Sequence, residues 1–364
     1  MVHNILSLIT MNKKKSGSLT TFVITIALVF SSCINDKRYF VDAETFKTSD
    51  LEIIKLAGTI IEFNDTIWNP VGIDVKDTLL FLKNHLTEYV YDVYNLNNNE
   101  KINECLTIGQ GPDEFIYPII AQSMDTGVWI FDRGKARLKE YLVSDLLSKR
   151  HPVSIKDISL RNNASENVAV LPNGNIVASV NLLPAGGFDL YDSKGIFLDS
   201  IGKFPEFTSG TLSATEKVLF FRSKFTTNLI NRIFVSYLHT DLIEIYDYEG
   251  NLIKRIHGPH QYQLVMTLHS GGGVSGASTV RGQTRACYTS PVHAGNEVFV
   301  LYCGELWEEY QERFFKIIVF DWDGKPLRMY ELDTHLFTFT VDSEHKIIYG
   351  ITNSPELRII KFNY

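Results

Sequence analysis

Residues 232–262 read RIFVSYLHTDLIEIYDYEGNLIKRIHGPHQY, a stretch in which short apolar runs alternate with turn residues. The pattern predicts three β-strands, at Arg232–Tyr237, Leu242–Tyr248 and Leu252–Ile256. A tight turn joins the second strand to the third, and Gly250 supplies the positive φ that such a turn usually needs. A unit of this size cannot bury both of its faces alone, so it requires copies of itself elsewhere in the chain.

Copies of this unit recur along the whole chain. Six segments share the apolar character of the first of these strands: Leu79–Lys83, Val128–Asp132, Asn175–Ser179, Arg232–Tyr237, Glu297–Tyr302 and Lys346–Thr352. Their spacings of 49, 47, 57, 65 and 49 residues suit four-stranded propeller blades with loop insertions, in which each segment is the second strand. An aromatic-Asp-x-x-Gly turn recurs as well, at residues 191–195, 246–250 and 320–324.

The two ends of the chain can complete one blade together. Leu357–Phe362 resembles a third strand and the chain ends at Tyr364, so the sixth blade lacks its fourth strand. Leu51–Phe63 precedes the first blade and can supply that strand, which would remove an exposed sheet edge. The sequence therefore predicts an all-β fold over residues 51–364. It is a six-bladed β-propeller of four-stranded antiparallel blades, with an N-terminal strand completing the last blade.

The N-terminus has the features of an export signal. Lys13–Lys15 precedes Leu19–Phe30, an apolar run of 12 residues that is too short for a comfortable membrane span. Phe30–Cys33 then resembles the bacterial lipobox, in which the cysteine carries the lipid. We predict a lipoprotein signal peptide over residues 1–33 with Cys33 as the attachment site. A plain secretory peptide and a single anchor helix are the alternatives.

The same segment suggests where the protein resides. Met11 is the natural start, so residues 1–10 are interpreted as an upstream extension. Residues 34–50 are predicted to be a polar tether. Ile34, directly after the cysteine, is not an inner-membrane retention signal, so we predict an outer-membrane lipoprotein facing either the periplasm or the cell surface. Two acyl chains would hold it stably in the bilayer.

Net charge argues against nucleic-acid binding. The chain carries a formal charge of −7, and removal of residues 1–33 takes away three lysines and no acidic residue, which gives −10. Nucleic-acid-binding proteins need a basic patch, so we predict no nucleic-acid partner.

One loop motif recurs where the chain passes from one blade to the next. Residues 108–115, IGQGPDEF, are echoed by residues 201–207, IGKFPEF. Because it repeats, the motif is predicted to be mainly architectural. Together with the lipobox-like segment and the six degenerate blades, it resembles the TolB-like six-bladed propeller lipoproteins of Gram-negative bacteria, which usually have Gly where this chain has Asp113. The resemblance covers about residues 51–364 and implies the fold; most of that family has no assigned activity. NHL-type propellers are the next relatives to consider.

Motifs for catalysis are absent from the sequence. It contains no G-x-S-x-G elbow, H-E-x-x-H, Walker loop or C-x-x-C pair, so no catalytic residue, cofactor or metal site is predicted. The glycine-rich Ser270–Thr284 is interpreted as a flexible loop. Histidines near the fourth crossover are interpreted as surface residues, namely His257, His260, His269 and His293. A disulfide between Cys287 and Cys303 is left open.

Propeller topology predicts a binding face. Loops between second and third strands emerge on the same face as the crossovers between blades; we call it the upper face. Nine residues are predicted to lie at one mouth there and to bind a ligand or partner: Asp113, Glu114, Arg133, Arg137, Glu206, Arg281, Arg285, Trp307 and Tyr310. Loops on a rigid scaffold commonly carry binding sites, and aromatic residues with arginine are common interface anchors.

Two functions fit this sequence. The favoured one is a membrane-anchored, monomeric, non-catalytic binding or scaffold module for an envelope protein or glycan. The alternative is a calcium-type, metal-dependent lactonase or hydrolase with an axial site, which would need several acidic or amide side chains at the inner ends of the first strands.

Overall fold

A computed structural model describes residues 38–85, 87–123, 127–161, 165, 167–179, 187–271, 274–310 and 313–364. The predicted signal peptide and Cys33 lie outside these ranges. Residues 39–364 belong to one folded unit. Within the described ranges, no helix combines the length and the apolar character needed to cross a membrane.

Three short strands come before the first blade: β1 (Ala43–Thr45), β2 (Glu52–Leu56) and β3 (Thr59–Ile60). The first three blades then follow, each with its strands side by side in chain order. Blade one contains β4 (Pro70–Lys76), β5 (Leu79–Asn84), β6 (Tyr89–Asn95) and β7 (Glu100–Thr107). Blade two contains β8 (Pro118–Ser123), β9 (Gly127–Asp132), β10 (Arg137–Leu142) and β11 (Lys156–Ser159), with helix α1 (Val143–Ser148) before β11. Blade three contains β12 (Val168–Val170), β13 (Ile176–Ser179), β14 (Phe188–Tyr191) and β15 (Phe197–Ile201).

The last three blades carry the larger insertions. Helix α2 (Ala214–Phe220) precedes blade four, which contains β16 (Ser223–Thr227), β17 (Ile233–Tyr237), β18 (Leu242–Tyr246) and β19 (Leu252–His257). A separate hairpin of β20 (Met266–Gly271) and β21 (Val274–Thr279) follows. Blade five contains β22 (Arg285–Ala294), β23 (Glu297–Leu306), the short helix α3 (Trp307–Tyr310), β24 (Phe314–Asp321) and β25 (Pro326–Leu336). Blade six contains β26 (Thr338–Asp342), β27 (Ile347–Thr352) and β28 (Arg358–Asn363).

The repeat analysis is confirmed at the level of individual strands. All six segments that the sequence singled out are second strands of blades, namely β5, β9, β13, β17, β23 and β27. The prediction that the glycine-rich Ser270–Thr284 is a flexible loop is wrong for about half of its length. Val274–Thr279 forms a strand that pairs with β20 in the separate hairpin. Backbone hydrogen bonds to a neighbouring strand thus order residues whose composition indicated flexibility.

The recurrent turn is held by its aspartate. Asp247 Oδ1 accepts hydrogen bonds from the backbone N–H of Glu249 (3.1 Å) and Asn251 (2.7 Å). The equivalent aspartates, Asp192 and Asp321, accept the same pair of bonds in blades three and five. The carboxylate therefore satisfies donors that the turn leaves without strand partners.

Closure of the ring by the two termini is confirmed, and it involves more of the N-terminal segment than predicted. β3 pairs antiparallel with β28 and supplies the missing fourth strand of blade six. β2, which was expected to join the same sheet, instead pairs parallel with β25 at the outer edge of blade five. β1 pairs parallel with β19 at the outer edge of blade four. Residues 39–61, here called the strap, thus run along the outer edges of three blades and cover them.

The prediction that residues 34–50 form a polar tether is wrong for residues 39–50. Phe40 and Ala43 are completely buried, and Phe46 is 6% exposed. Phe40 forms a β-bridge with Phe207, and its ring lies 5.4 Å from the Phe207 ring in a stacked arrangement. Because these apolar side chains bury surface against blade four and its preceding crossover, this part of the chain belongs to the propeller.

The hydrophobic core is divided among the blade interfaces. Six clusters of buried apolar side chains are found among the described residues, and each joins two consecutive blades. Phe234 of blade four packs with Phe320 of blade five, for example. Leu82 of blade one and Tyr349 of blade six belong to the cluster that closes the ring. Apolar contact around the whole ring therefore reinforces the closure that the strap provides.

The cysteines lie within this core. Cys105, Cys287 and Cys303 are buried free thiols. Cys287 and Cys303 belong to different core clusters, on the two sides of the blade-five sheet, which accounts for the absence of a disulfide between them. Burial raises the pKa of Cys105 to about 12 and that of Cys303 to about 11, so both thiols stay protonated at neutral pH.

Candidate functional site

The nine residues predicted for one mouth all belong to elements of the upper face, but the structure distributes them over three places. Four belong to blade two and the crossover that enters it: Asp113, Glu114, Arg133 and Arg137. Glu206 is exposed on the crossover between blades three and four, beside the strap, where its carbonyl oxygen accepts from Val41 N (2.8 Å). The remaining four, Arg281, Arg285, Trp307 and Tyr310, lie together above blades four and five.

The motif before blade two is a self-contained loop. Glu114 Oε2 accepts a hydrogen bond from Gly111 N (2.7 Å), and a Cβ on Gly109 would lie 2.1 Å from the same oxygen. The ammonium of Lys139, whose side chain is 2% exposed, donates to the carbonyl oxygen of Pro112 (2.9 Å). These contacts hold the loop onto blade two, which supports the architectural interpretation of the motif.

The two arginines predicted for the mouth from blade two, Arg133 and Arg137, have their own local contacts. Arg137 Nε donates to Asp157 Oδ1 (2.7 Å) on the outer strand of the same blade, and this bond raises the pKa of Arg137. Arg133 directly follows β9, and its N–H donates to the carbonyl oxygen of Tyr117 (3.0 Å). The Arg137 guanidinium therefore supports its own sheet.

The group above blades four and five is built on helix α3. Trp307 N donates to Thr284 O (2.8 Å), and the Trp307 ring lies 5.2 Å from the ring of Tyr310. Glu308 Oε1 accepts from Gly282 N (2.7 Å), which fixes the turn that contains Arg281. The loop inside blade five and the end of the preceding crossover are thus tied into one surface.

Arg285 extends this surface towards the crossover loop. Its guanidinium lies 4.8 Å from the centre of the Tyr262 ring, and Nη1 donates to Gly304 O (3.2 Å). The exposed His260 stacks on the ring of Tyr262, with 5.2 Å between the two ring centroids. Its Nδ1 also lies 2.6 Å from Tyr302 Oη, within hydrogen-bond distance. We call Tyr262, His260, Arg285, Trp307 and Tyr310 the aromatic patch.

A buried aspartate positions the crossover half of the patch. Asp241 is completely buried, and its carboxylate accepts from the backbone N–H of His260 (2.7 Å), Gln261 (2.8 Å) and Tyr262 (2.6 Å). His257 Nε2 lies 3.1 Å from Asp241 Oδ1, so the prediction that His257 is a surface residue is wrong. Three amides converging on one carboxylate fix the loop conformation and hence the direction of the Tyr262 ring.

A cavity of about 430 Å³ opens beside Trp307. Its lining comes from α2, blade four, the separate hairpin and Trp307 of blade five, and it includes Leu219, Arg222, His239, Met266 and Ser278. His239 lies 4.9 Å from the Trp307 ring, and burial lowers its pKa to about 4. The cavity thus offers apolar contact and a neutral imidazole at physiological pH, and Trp307 connects it to the rest of the aromatic patch.

A second cavity follows the propeller axis. This axial channel has a volume of about 520 Å³ and is lined by the first strands of all six blades. The calcium-type alternative requires several oxygen ligands there, yet Asp74 is the one carboxylate among the described residues that line the channel. No group of three or more His, Cys, Asp or Glu side chains in the described ranges could hold a metal ion. The donor set does not fit a calcium site.

Sequence reasoning found Arg285, Trp307 and Tyr310 of the patch. It missed His239, Asp241 and Tyr262 as contributors. Their roles depend on a crossover that folds back onto the β17–β18 loop, and a separation of about 20 residues gives no spacing signal. Asp241 carries the one available signal, because it lies at the loop directly before the strand Leu242–Tyr246.

The comparisons with known proteins agree with this architecture. A family model described as TolB-like 6-blade propeller-like matches residues 52–344. A member of the DUF4221 family from Bacteroides vulgatus has a similar structure, with a TM-score of 0.52 and 11% identity over 86% of this chain and 97% of that one.

A protein from Bacteroides fragilis, whose export is described as inferred, also has a similar structure. Its TM-score is 0.51, with 12% identity over 87% of this chain and 98% of that one. At such identities the likeness shows the fold alone. No curated protein matches the chain. Since the family model covers most of the six blades, the chain belongs to the TolB-like six-bladed propeller family.

Proposed function

We propose that this protein is an envelope lipoprotein whose propeller is a non-catalytic binding module for an envelope protein or glycan. The export-type N-terminus with its lipobox-like Phe30–Cys33 supports the location. Membership of the TolB-like family, and the likeness to a protein described as exported, are consistent with it. The strap begins at Tyr39, so five residues separate Cys33 from the propeller.

The observation that carries the proposed binding role is the aromatic patch itself, in which Arg285 stacks on Tyr262 and Trp307 lines a cavity. Arg285 is held by its ring contact and by Gly304 O, so it loses little freedom on binding. Trp307 borders the cavity and is only partly buried. Pre-oriented aromatic and arginine side chains beside a concavity are typical of interaction hot spots.

Site-specific photo-crosslinking in intact cells tests the binding role. A photo-reactive amino acid at Glu309, exposed on α3, should give a discrete adduct with one envelope component. The same amino acid at Ile230, which is 75% exposed on the lower face of blade four, is the matched control and should give none. The Glu309 adduct should disappear when Trp307 and Arg285 are both replaced by Ala. An adduct that persists in that double variant would reject the patch as the binding site.

The anchor has its own test. Metabolic labelling with a palmitate analogue should label the protein and should fail for Cys33→Ser, which should also leave the membrane fraction. Labelling of Cys33→Ser to the same extent would reject the lipoprotein assignment, whatever the crosslinking shows.

A further inference from the structure

The strap begins at the upper face of the propeller, where its first residue, Tyr39, contacts two crossovers. The Tyr39 carbonyl oxygen accepts a hydrogen bond from Thr208 N (3.0 Å), and its ring lies 4.9 Å from that of Phe207, both on the crossover into blade four. The Tyr39 hydroxyl lies 3.5 Å from the carbonyl oxygen of Leu264, on the crossover into blade five. Leu264 is two residues from Tyr262 of the aromatic patch, so the start of the strap and the patch share this face.

Covalent geometry limits how far this face can lie from a lipid attached to Cys33. Tyr39 follows Cys33 by six residues. An extended chain spans about 3.5 Å per residue, so roughly 21 Å at most separate the two residues. The strands of blade four contain five or six residues, which places the lower face about 15–20 Å further along the blade. An anchor at Cys33 therefore holds the upper face closer to the bilayer than the lower face.

The exposed Phe, Trp and Tyr side chains of the described ranges all lie on this face. They are Trp68 (65% exposed), Tyr117 (58%) and Phe315 (47%). Trp68 and Tyr117 are on the crossovers into blades one and two. The Tyr117 carbonyl oxygen accepts from Arg133 N (3.0 Å), directly after the second strand β9. Phe315 is the second residue of β24, just after the loop that contains α3.

These side chains have the chemistry of a membrane interface. Trp and Tyr rings are amphipathic and concentrate at the headgroup level of bilayers. A single exposed apolar side chain is ordinary on a soluble protein. Here, however, rings from blades one, two and five share the face that an anchor at Cys33 holds nearer the lipid. On the lower face, the exposed Ile230 is an aliphatic side chain without a polar edge.

We propose that the upper face docks on the lipid surface of the membrane that carries the anchor, with Trp68, Tyr117 and Phe315 entering the headgroup region. The proposal rests on the lipid anchor of the proposed function, because a short covalent connection gives weak contacts the high local concentration that they need. The aromatic patch lies on the same face, so its envelope partner is a component of that same membrane.

Fluorescence quenching in proteoliposomes tests this orientation. The full-length protein, purified from membranes, is reconstituted in phosphatidylcholine with a nitroxide on a fraction of the headgroups. A fluorophore is attached to His85→Cys, in the upper loop of blade one, or to Ile230→Cys, on the lower face of blade four. Native Cys105, Cys287 and Cys303 are buried and stay unlabelled.

We expect quenching to be several-fold stronger at position 85 than at position 230. Blade one is opposite blade four in a ring of six, so position 85 is remote from the start of the strap and reports on the whole face. Equal quenching at the two positions, or stronger quenching at position 230, would overturn the proposal.

Substitution of the rings tests what holds the face against the lipid. The double variant Trp68→Ser, Tyr117→Ser should lose most of the quenching at position 85, yet it should still sediment with the vesicles because its anchor is intact. Ile230→Ser is the matched control and should keep the wild-type quenching. Circular dichroism confirms that the variants are folded. Quenching that persists in the folded double variant would reject the role of the rings and overturn the proposal.

The docking and the anchor fail in different ways. Protein that sediments with the vesicles but is not quenched at position 85 retains the anchor and rejects the docking. Protein that fails to sediment, as is expected of Cys33→Ser, rejects the anchor, and the docking inference is then overturned with it.

Discussion

Glu244 and Arg255 form a buried ion pair between neighbouring strands of blade four, with 2.6 Å between Oε1 and Nε. Glu244 also accepts hydrogen bonds from the hydroxyl groups of Tyr237 (2.6 Å) and Tyr246 (2.7 Å). Arg255 in turn donates from Nη1 to the carbonyl oxygen of Val41 in the strap. One buried network thus joins the third and fourth strands of blade four to the N-terminal segment that covers it.

Glu244→Gln should lower the free energy of unfolding by about 3–5 kcal/mol, because it leaves the Arg255 charge buried without its counter-charge. Urea unfolding measures the effect. Glu249→Gln, at the exposed turn of the same blade, should change it by less than about 0.5 kcal/mol. Similar losses in the two variants would contradict the importance of the pair.

Gly250 and Gly210 allow the cost of backbone strain to be measured separately from the cost of a steric clash. Gly250 and Gly210 have nearly the same φ, 82° and 83°. A Cβ on Gly250 would lie 2.5 Å from Gly202 N, whereas a Cβ on Gly210 meets nothing within 4 Å. Gly210→Ala should therefore cost about 1 kcal/mol, from the positive φ alone. Gly250→Ala should cost roughly 3 kcal/mol or more, since backbone must also move. Equal losses in thermal unfolding experiments would show that the contact has no effect.

The blades could be predicted because each second strand is a largely apolar run, and because an aromatic-Asp-x-x-Gly turn follows the third strand in blades three, four and five. The part of the strap before β3 could not be predicted, because its contacts are divided between blades four and five and its buried positions recur every third residue. Phe40, Ala43 and Phe46 follow neither the alternation of a half-buried strand nor a continuous apolar run. Parallel pairing of short segments with distant outer strands leaves no local signal.

The residues of the aromatic patch and of the axial channel show the same division. Arg285 and Trp307 belong to loops whose position on the upper face follows from the order of the strands. Lys83 lines the axial channel although it belongs to the second strand β5, and strand order could not predict this because it places second strands behind the channel wall. Its position depends on Gly72, whose significance is apparent only once the two residues are known to be paired.

Removal of one strap side chain should destabilise the whole propeller. Phe40 is completely buried, and its ring lies 4.9 Å from that of His257 in blade four. Phe40→Ala should therefore lower the unfolding free energy by about 3–5 kcal/mol. Ile53→Ala, in the same strap but 46% exposed, is the control and should cost less than about 1 kcal/mol. If Phe40→Ala behaved like the control in urea unfolding, the strap would not be part of the cooperative unit.

The buried histidine beside Trp307 should make stability depend on pH. Burial lowers the pKa of His239 from its ordinary value of 6.5 to about 4, so the unfolded chain binds this proton more tightly than the folded protein. The contribution is intact above about pH 6.5 and is lost as the pH falls towards about 4, by roughly 3 kcal/mol.

His239→Phe keeps an aromatic ring against Trp307 and should remove that part of the pH dependence. His260 and His293, whose pKa values burial also lowers, titrate in the same direction in both proteins, so the difference between the two curves isolates His239. His269→Phe, at an exposed position of the separate hairpin, should retain the wild-type pH profile. Urea unfolding between about pH 4 and pH 7 measures the three profiles. If the profile of His239→Phe coincides with that of the wild type, the imidazole does not titrate in the buried site, and the neutral imidazole assigned to the cavity beside Trp307 is wrong.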